Sequence, residues 1–319
     1  MNRRHLMIAA AMAAILTAGS AAQAADYPLR PIELIVPASP GGGTDVMARA
    51  FAEAARKYIA QPLLVVDRPG ASGSVGLAEA QQAPPDGYKV GVLIAELAII
   101  PHLNIVRFTV DDFVPVARLN ADPASITVRA DAPWSTIDEF MAHARRFPTR
   151  VTMGDSGSGS IWHLAAAALE SKAGVRFSYT PFRGSAPGVQ ALLDGQIDAM
   201  TTSPGEVALH VASGRLRTLA VMAEQRMPGL FAGVPTLKEK GIELAIGTWR
   251  GLAVPPNTPP DIVAVLRDLA RRTAADPAFR EAMAKAHLTV AYQDSDAFRR
   301  TMAESSQDFK KLIQKVEMK

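Results

Sequence analysis

Residues 153–163 read MGDSGSGSIWH, and the role given to Ser156 decides the fold. As a nucleophile, Ser156 needs a histidine and an aspartate brought to it by a suitable scaffold. As part of an anion cradle, it needs a strand before the loop and a helix after it, so that backbone N–H groups of the first helical turn meet a negative charge. The flanking residues satisfy the second requirement: 151–153 reads as a strand, and 161–172 as a helix ended by Gly174.

Outward from this segment, residues 32–260 alternate β-rich runs with helical ones, the sequence form of an α/β chain with a mostly parallel sheet. Strands are expected over 32–36, 63–66, 89–94, 126–128, 151–153, 177–179, 199–202 and 216–222. A helix is expected over 45–59, where Met47, Phe51, Ala54 and Tyr58 recur at helical spacing. After Pro259 and Pro260 the pattern is purely helical, over 262–275, 277–286 and 296–316. Three such helices are expected to pack back on the first domain. The division is therefore 25–124 with 248–319 as one domain and 125–247 as the other, the chain crossing twice.

Residues 1–24 form the layout of a secretory signal peptide: Arg3 and Arg4, an apolar run from Leu6 to Ala18, then Ala22-Gln23-Ala24 before the cut. Export to the periplasm is the expectation. The absence of cysteine removes disulfides and thiolate metal sites. Loss of Arg3 and Arg4 takes the formal charge from +3 to +1, which gives nucleic acid and acidic membranes no electrostatic hold. No histidine pair has metal-ligand spacing on a shared helix face, so neither metal nor cofactor is expected.

A second glycine loop follows the first strand: Pro37-Ala38-Ser39-Pro40-Gly41-Gly42-Gly43-Thr44-Asp45. Its glycines let a ligand approach the backbone, Thr44 suits a helix N-cap, and the helix start favours an anion. A phosphate-binding P-loop would need lysine after the last glycine, whereas Thr44 and Asp45 stand there. The run Gly154-Asp155-Ser156-Gly157 resembles the nucleophile segment of chymotrypsin-like serine proteases. His102 with Asp111 or Asp112 even lies upstream in the protease order, but an α/β chain offers that all-β scaffold no place.

The runs YPLRPIELIVPASPGGGTDVMARAFAE, VVDRPGASGSVGLAEAQQAPPDGYKVGVL, GDSGSGSIWHLAAAALE, TPFRGSAPGVQALLDGQIDAM and TWRGLAVPPNTPP, in this order, closely resemble the periplasmic substrate-binding receptors of tripartite tricarboxylate transporters, the Bug-type receptors. The resemblance covers essentially the whole mature chain. It implies a two-domain periplasmic-binding-protein (Venus flytrap) fold, monomeric and non-enzymatic, with a small organic anion or amino acid in the cleft and membrane permease subunits as partners. The implied ligand-binding residues are Ser39, Gly41, Gly42, Thr44 and Asp45 on one loop and Ser156, Gly157, Ser158 and Gly159 on the other, with His163 one turn inside the second helix. Ser203 is a candidate cleft-facing hydroxyl at a strand end, while Pro181 to Ser185, including Arg183, reads mainly as scaffold. Two departures from the family bear on ligand choice: Glu96, where relatives are Ser/Thr-rich, and Arg250, where an aromatic is common. Either these two recognise the ligand, or Glu96 faces solvent and Arg250 pairs with it. The rival functions are a solute sensor for a sensor kinase and a serine hydrolase using Ser156 with His163.

Overall fold

The computed structural model describes residues 27–316; the signal-peptide expectation lies outside these residues. Strand β1 (Ile32–Val36) is apolar except for Glu33 and lies parallel to β2 (Leu63–Asp67) on one side and β3 (Lys89–Ile94) on the other. Helix α1 (Gly43–Ala55) links β1 to β2, burying Met47, Phe51 and Ala54 along one stripe. Helix α2 (Ser74–Gln81) links β2 to β3. This half of the chain follows the expected strand-helix alternation closely, because each element's own apolar period sets its type.

The second lobe repeats the scheme. Strand β4 (Val114–Arg129) leads to α3 (Ile137–Arg146) and then to β5 (Thr152–Asp155), whose loop opens α4 (Ile161–Ala173). Next come β6 (Ser178–Pro181), α5 (Ser185–Leu193), β7 (Ala199–Thr202), α6 (Pro204–Ala212) and β8 (Leu216–Met222). Strand β5 lies parallel to β6 and β7. The chain then returns to the first lobe as β9 (Gly247–Val254), α7 (Pro260–Ala275), α8 (Pro277–Lys285), β10 (Val290–Gln293) and α9 (Ser295–Ile313).

Strand β4 differs most from expectation. The sequence suggests a strand only over 126–128, yet β4 runs from Val114 and serves both sheets: Val114 to Pro123 pair with β9, and Ala124 to Arg129 pair with β8. Pro115 and Pro123 masked it, since proline donates no ladder hydrogen bond. The strand accommodates them with register shifts and by placing Pro123 where it leaves one sheet for the other. Strands β4, β9 and β10 also make the sheet mixed rather than mostly parallel. Strand β9 runs antiparallel to both β3 and β4, and β4 runs antiparallel to β7, β8 and β10.

Each lobe has an aromatic centre. Phe51 and Phe279 meet edge-to-face with centroids 6.1 Å apart in the first, and Trp134 and Phe140 at 5.2 Å in the second. Burying one such phenylalanine contributes about 1.5–3 kcal/mol. The C-terminal helices pack on the first lobe: α7 and α8 lie against α1, and α9 covers β4. Trp249 of β9 is held by α9 through its ring contact with Phe298 and the bond from its Nε1 to Ser305 Oγ at 3.1 Å.

The two lobes join where β4 and β9 run side by side. Ala124 N–H donates to Ile246 O at 2.8 Å, and Gly247 pairs with Pro123. A Cβ at Gly247 would collide with the Asp122 carbonyl oxygen and lie 2.7 Å from Pro123 Cα, so only glycine allows this approach. Backbone atoms cannot yield as a side chain does. Gly247→Ala should therefore lower stability by about 1–3 kcal/mol, the usual cost of overpacking. Urea denaturation checks this, and an unchanged midpoint would mean that the crossing strands are not closely packed.

Candidate functional site

A cavity of about 730 Å³ lies between the two lobes. The first lobe contributes Ser39, Gly42, Gly43 and Thr44 at the start of α1, Ser72 after β2, and Glu96 in the 3-10 turn after β3. The second contributes Ser156, Gly157, Ser158, Ile161 and Trp162 before and within α4, Arg183 after β6, and Glu206 of α6. Thr248 and Arg250 of β9 also line it. The two helix starts thus border one space, because each follows a strand whose C-terminal end opens on the cleft.

Four hydrogen bonds cross the cleft. Gly43 N–H donates to Glu206 Oε1 at 3.1 Å, and Ile161 N–H to Glu96 Oε1 at 3.1 Å. Ser72 Oγ donates to the Ser158 carbonyl at 2.7 Å, and Ser39 Oγ to the Arg183 carbonyl. The first helical N–H on each side is therefore bonded to a carboxylate of the opposite lobe. Within each loop an aspartate does the same locally: Asp45 accepts Gly41 N–H at 2.8 Å, and Asp155 accepts Gly157 N–H at 2.7 Å.

Arg250 is 2 % exposed. Its Nε donates to Thr44 Oγ1 at 3.0 Å, and its Nη1 donates to Asp122 Oδ2 at 2.9 Å and to Asn120 Oδ1. Its ion-pair partner is thus Asp122 of β4, not Glu96. Burial pushes the Glu96 carboxyl above its ordinary range, outweighing the Ile161 N–H and the nearby Arg250. Burial pushes Glu206 the same way, but there Arg250, the Thr202 hydroxyl and the Gly43 and Ser203 N–H groups prevail and hold it below the usual range.

Of the residues singled out in the sequence, Ser39, Gly42, Thr44, Glu96, Ser156, Gly157, Ser158 and Arg250 line the cavity, and Glu96 does not face solvent. Gly41, Asp45, Gly159, His163 and Ser203 do not line it. Asp45 turns back to Gly41 N–H and to Arg49, 2.6 Å away. His163 is buried behind the loop, its Nδ1 accepting Gly159 N–H at 3.2 Å and its ring 4.8 Å from that of Tyr179. Burial holds its pKa below the ordinary value, which favours the neutral imidazole, and it makes no hydrogen bond to Ser156. Ser203 caps α6 through Glu206 Oε2, 2.9 Å from its hydroxyl.

Glu206, Ser72 and the lining role of Arg183 escaped the sequence reading. The order Ser203-Pro204-Gly205-Glu206 is a Ser-x-x-Glu capping box and marks the helix start. That signal was available, but it does not reveal that the other oxygen of Glu206 reaches across to Gly43.

Known proteins similar to this chain share one family description and one fold. The family model "Tripartite tricarboxylate transporter family receptor" matches residues 47–318. Protein BugT of Bordetella pertussis is 31% identical over 302 residues, 92% of each chain. A TctC solute binding protein from Polaromonas, solved without ligand, is 49% identical with a TM-score of 0.70, covering 91% of this chain and 100% of its own. MatC from Rhodopseudomonas palustris, solved with bound malate, is 25% identical with a TM-score of 0.83, covering 90% and 99%.

Asp155 yields a pH prediction. Its carboxyl is fully buried, and burial pushes its pKa up to about 7 against the single N–H of Gly157. The native state therefore keeps a proton that the unfolded chain releases near pH 4, and between these values stability falls as pH rises. The slope is at most about 1.4 kcal/mol per pH unit. Asp155→Asn should remove this contribution, seen as a flatter Tm profile from pH 4 to 7. An identical slope in the variant would show that Asp155 is ionised throughout.

Proposed function

Because the chain belongs to the tripartite tricarboxylate transporter receptor family, we propose that it is an exported receptor that captures a small carboxylate-bearing metabolite and delivers it to membrane permease subunits. The observation that carries this reading is the cavity between the lobes, lined by two helix starts and by Arg183, an exposed residue with no ion-pair partner among the described residues. Ser156 and Ser158 line the same cavity, as do the buried starts of α1 and α4. A guanidinium fork and convergent donors suit a carboxylate. The chain superposes better on malate-bound MatC than on the unliganded Polaromonas protein of higher identity. A different angle between the lobes would produce that order.

Closure has a cause in this arrangement. Each lobe presents a helix start whose first N–H finds its acceptor across the cleft, and a ligand bound to both sides adds its own bonds to the closed form. Family and fold point to binding, and the surroundings of Ser156 agree: a nucleophile needs a base within hydrogen-bond reach, whereas His163 is bonded elsewhere.

A ligand that binds only the folded protein stabilises it by about 2.7 kcal/mol at a hundredfold excess over Kd. A melting screen of mono- and dicarboxylates, amino acids, sugars and metal ions should therefore show Tm rising by several degrees with at least one carboxylate. A response confined to sugars or metal ions would sink the reading. In the same assay, Ser156→Ala should weaken binding by about 0.5–3 kcal/mol while leaving the ligand-free Tm unchanged. Stoichiometric labelling of Ser156 by a fluorophosphonate, lost in the alanine variant, would instead identify a hydrolase.

A further inference from the structure

The charges around the cavity floor do not balance. Arg250 is engaged by Asp122, Asn120 and Thr44. Glu96 and Glu206 both line the cavity, yet neither forms an ion pair with a lysine or arginine among the described residues. Glu96 is 6 % exposed, and its one bond from the opposite lobe is the Ile161 N–H. Glu206 accepts from Gly43, Thr202 and Ser203, all neutral donors, and shares the nearby charge of Arg250 with Asp122. Three carboxylates, Asp122, Glu96 and Glu206, thus surround one guanidinium. A buried carboxylate without a counter-charge is costly and tends to hold its proton, as burial makes Glu96 do. The more exposed part of the lining has the opposite character, with Arg183, Ser156 and Ser158 and no carboxylate of its own.

Resting on the reading that this cavity takes a carboxylate-bearing solute, we propose that the preferred solute is a zwitterionic aminocarboxylate, its ammonium seated at Glu96 and Glu206 and its carboxylate directed to Arg183. An ammonium supplies the counter-charge that the floor lacks and the donor that the carboxylate oxygens can use. A plain dicarboxylate would place its second anion against the ionised Glu206, where like charges repel. The cavity is thus polarised along its depth, and the solute matches it end for end.

The test uses calorimetric titration of the mature protein with three matched sets: aspartate, malate and succinate; 4-aminobutyrate, 4-hydroxybutyrate and butyrate; phenylalanine, phenyllactate and phenylpropionate. In the set that binds, the amine should exceed both counterparts by about tenfold or more, as expected for a close pair of opposite charges. E96Q and E206Q, which keep the shape and one acceptor oxygen, should each weaken the amine more than its counterparts and so shrink that gap. Two variants are used so that a folding defect in one leaves the other informative. Preference for the hydroxy or unsubstituted acid, or an equal loss for all three members in both variants, overturns the proposal while leaving a carboxylate receptor intact. Failure of every member to bind overturns both readings.

Discussion

The first N–H groups of a helix have no partner within the helix and must find an acceptor elsewhere. In this protein the acceptor for the first N–H of α1 and of α4 comes from the opposite lobe, Glu206 for Gly43 and Glu96 for Ile161. The rest of the site follows from that constraint. Two loops rich in glycine and serine are brought together because each helix start needs what the other lobe carries. The cavity is the space left between them. In the opened state these groups would be satisfied by water, so the bonds contribute modestly to stability and mainly fix the geometry in which the lobes meet.

The same surface is anchored from below by the crossing of β4 and β9. Asp122 and Asn120 sit on β4 just before it changes sheets, and Arg250 sits opposite them on β9. Asp122 also accepts Thr289 N–H at 2.9 Å, tying the crossing to the segment that leads into β10. Removing one member of such a buried pair strands the other charge. Arg250 is therefore both a cavity wall and a structural tie, and its packing limits what can stand beside it: a Cβ at Gly43 would lie 2.8 Å from its Nη2.

Much of this was legible in the order of residues. The apolar period and the flanking glycines defined β1, β3, β7 and β8 and the start of α4, because these signals are local. The strand-loop-helix setting of Ser156 was legible for the same reason. Helix α1, by contrast, starts at Gly43 with Gly42 as its cap and places Thr44 inside its first turn. The ordered motifs carried the family. Local signals failed where the chain serves two sheets: Pro115 and Pro123 hid β4, and β9 and β10 were not recognised as strands because their pairing depends on partners more than a hundred residues away.

The site divides along the same line. The sequence by itself determined that Ser39 to Thr44 and Ser156 to Ser158 belong to helix-start loops, since glycine, hydroxyl and cap chemistry act over a few residues. Only the tertiary structure decided which acceptor each helix start receives, that Arg250 pairs with Asp122 rather than Glu96, that His163 and Ser203 face away from the cavity, and that Glu206 faces it. Side-chain direction at these positions is set by packing between elements distant in sequence. A capping glutamate looks the same in the sequence whether its second oxygen meets water or crosses a cleft.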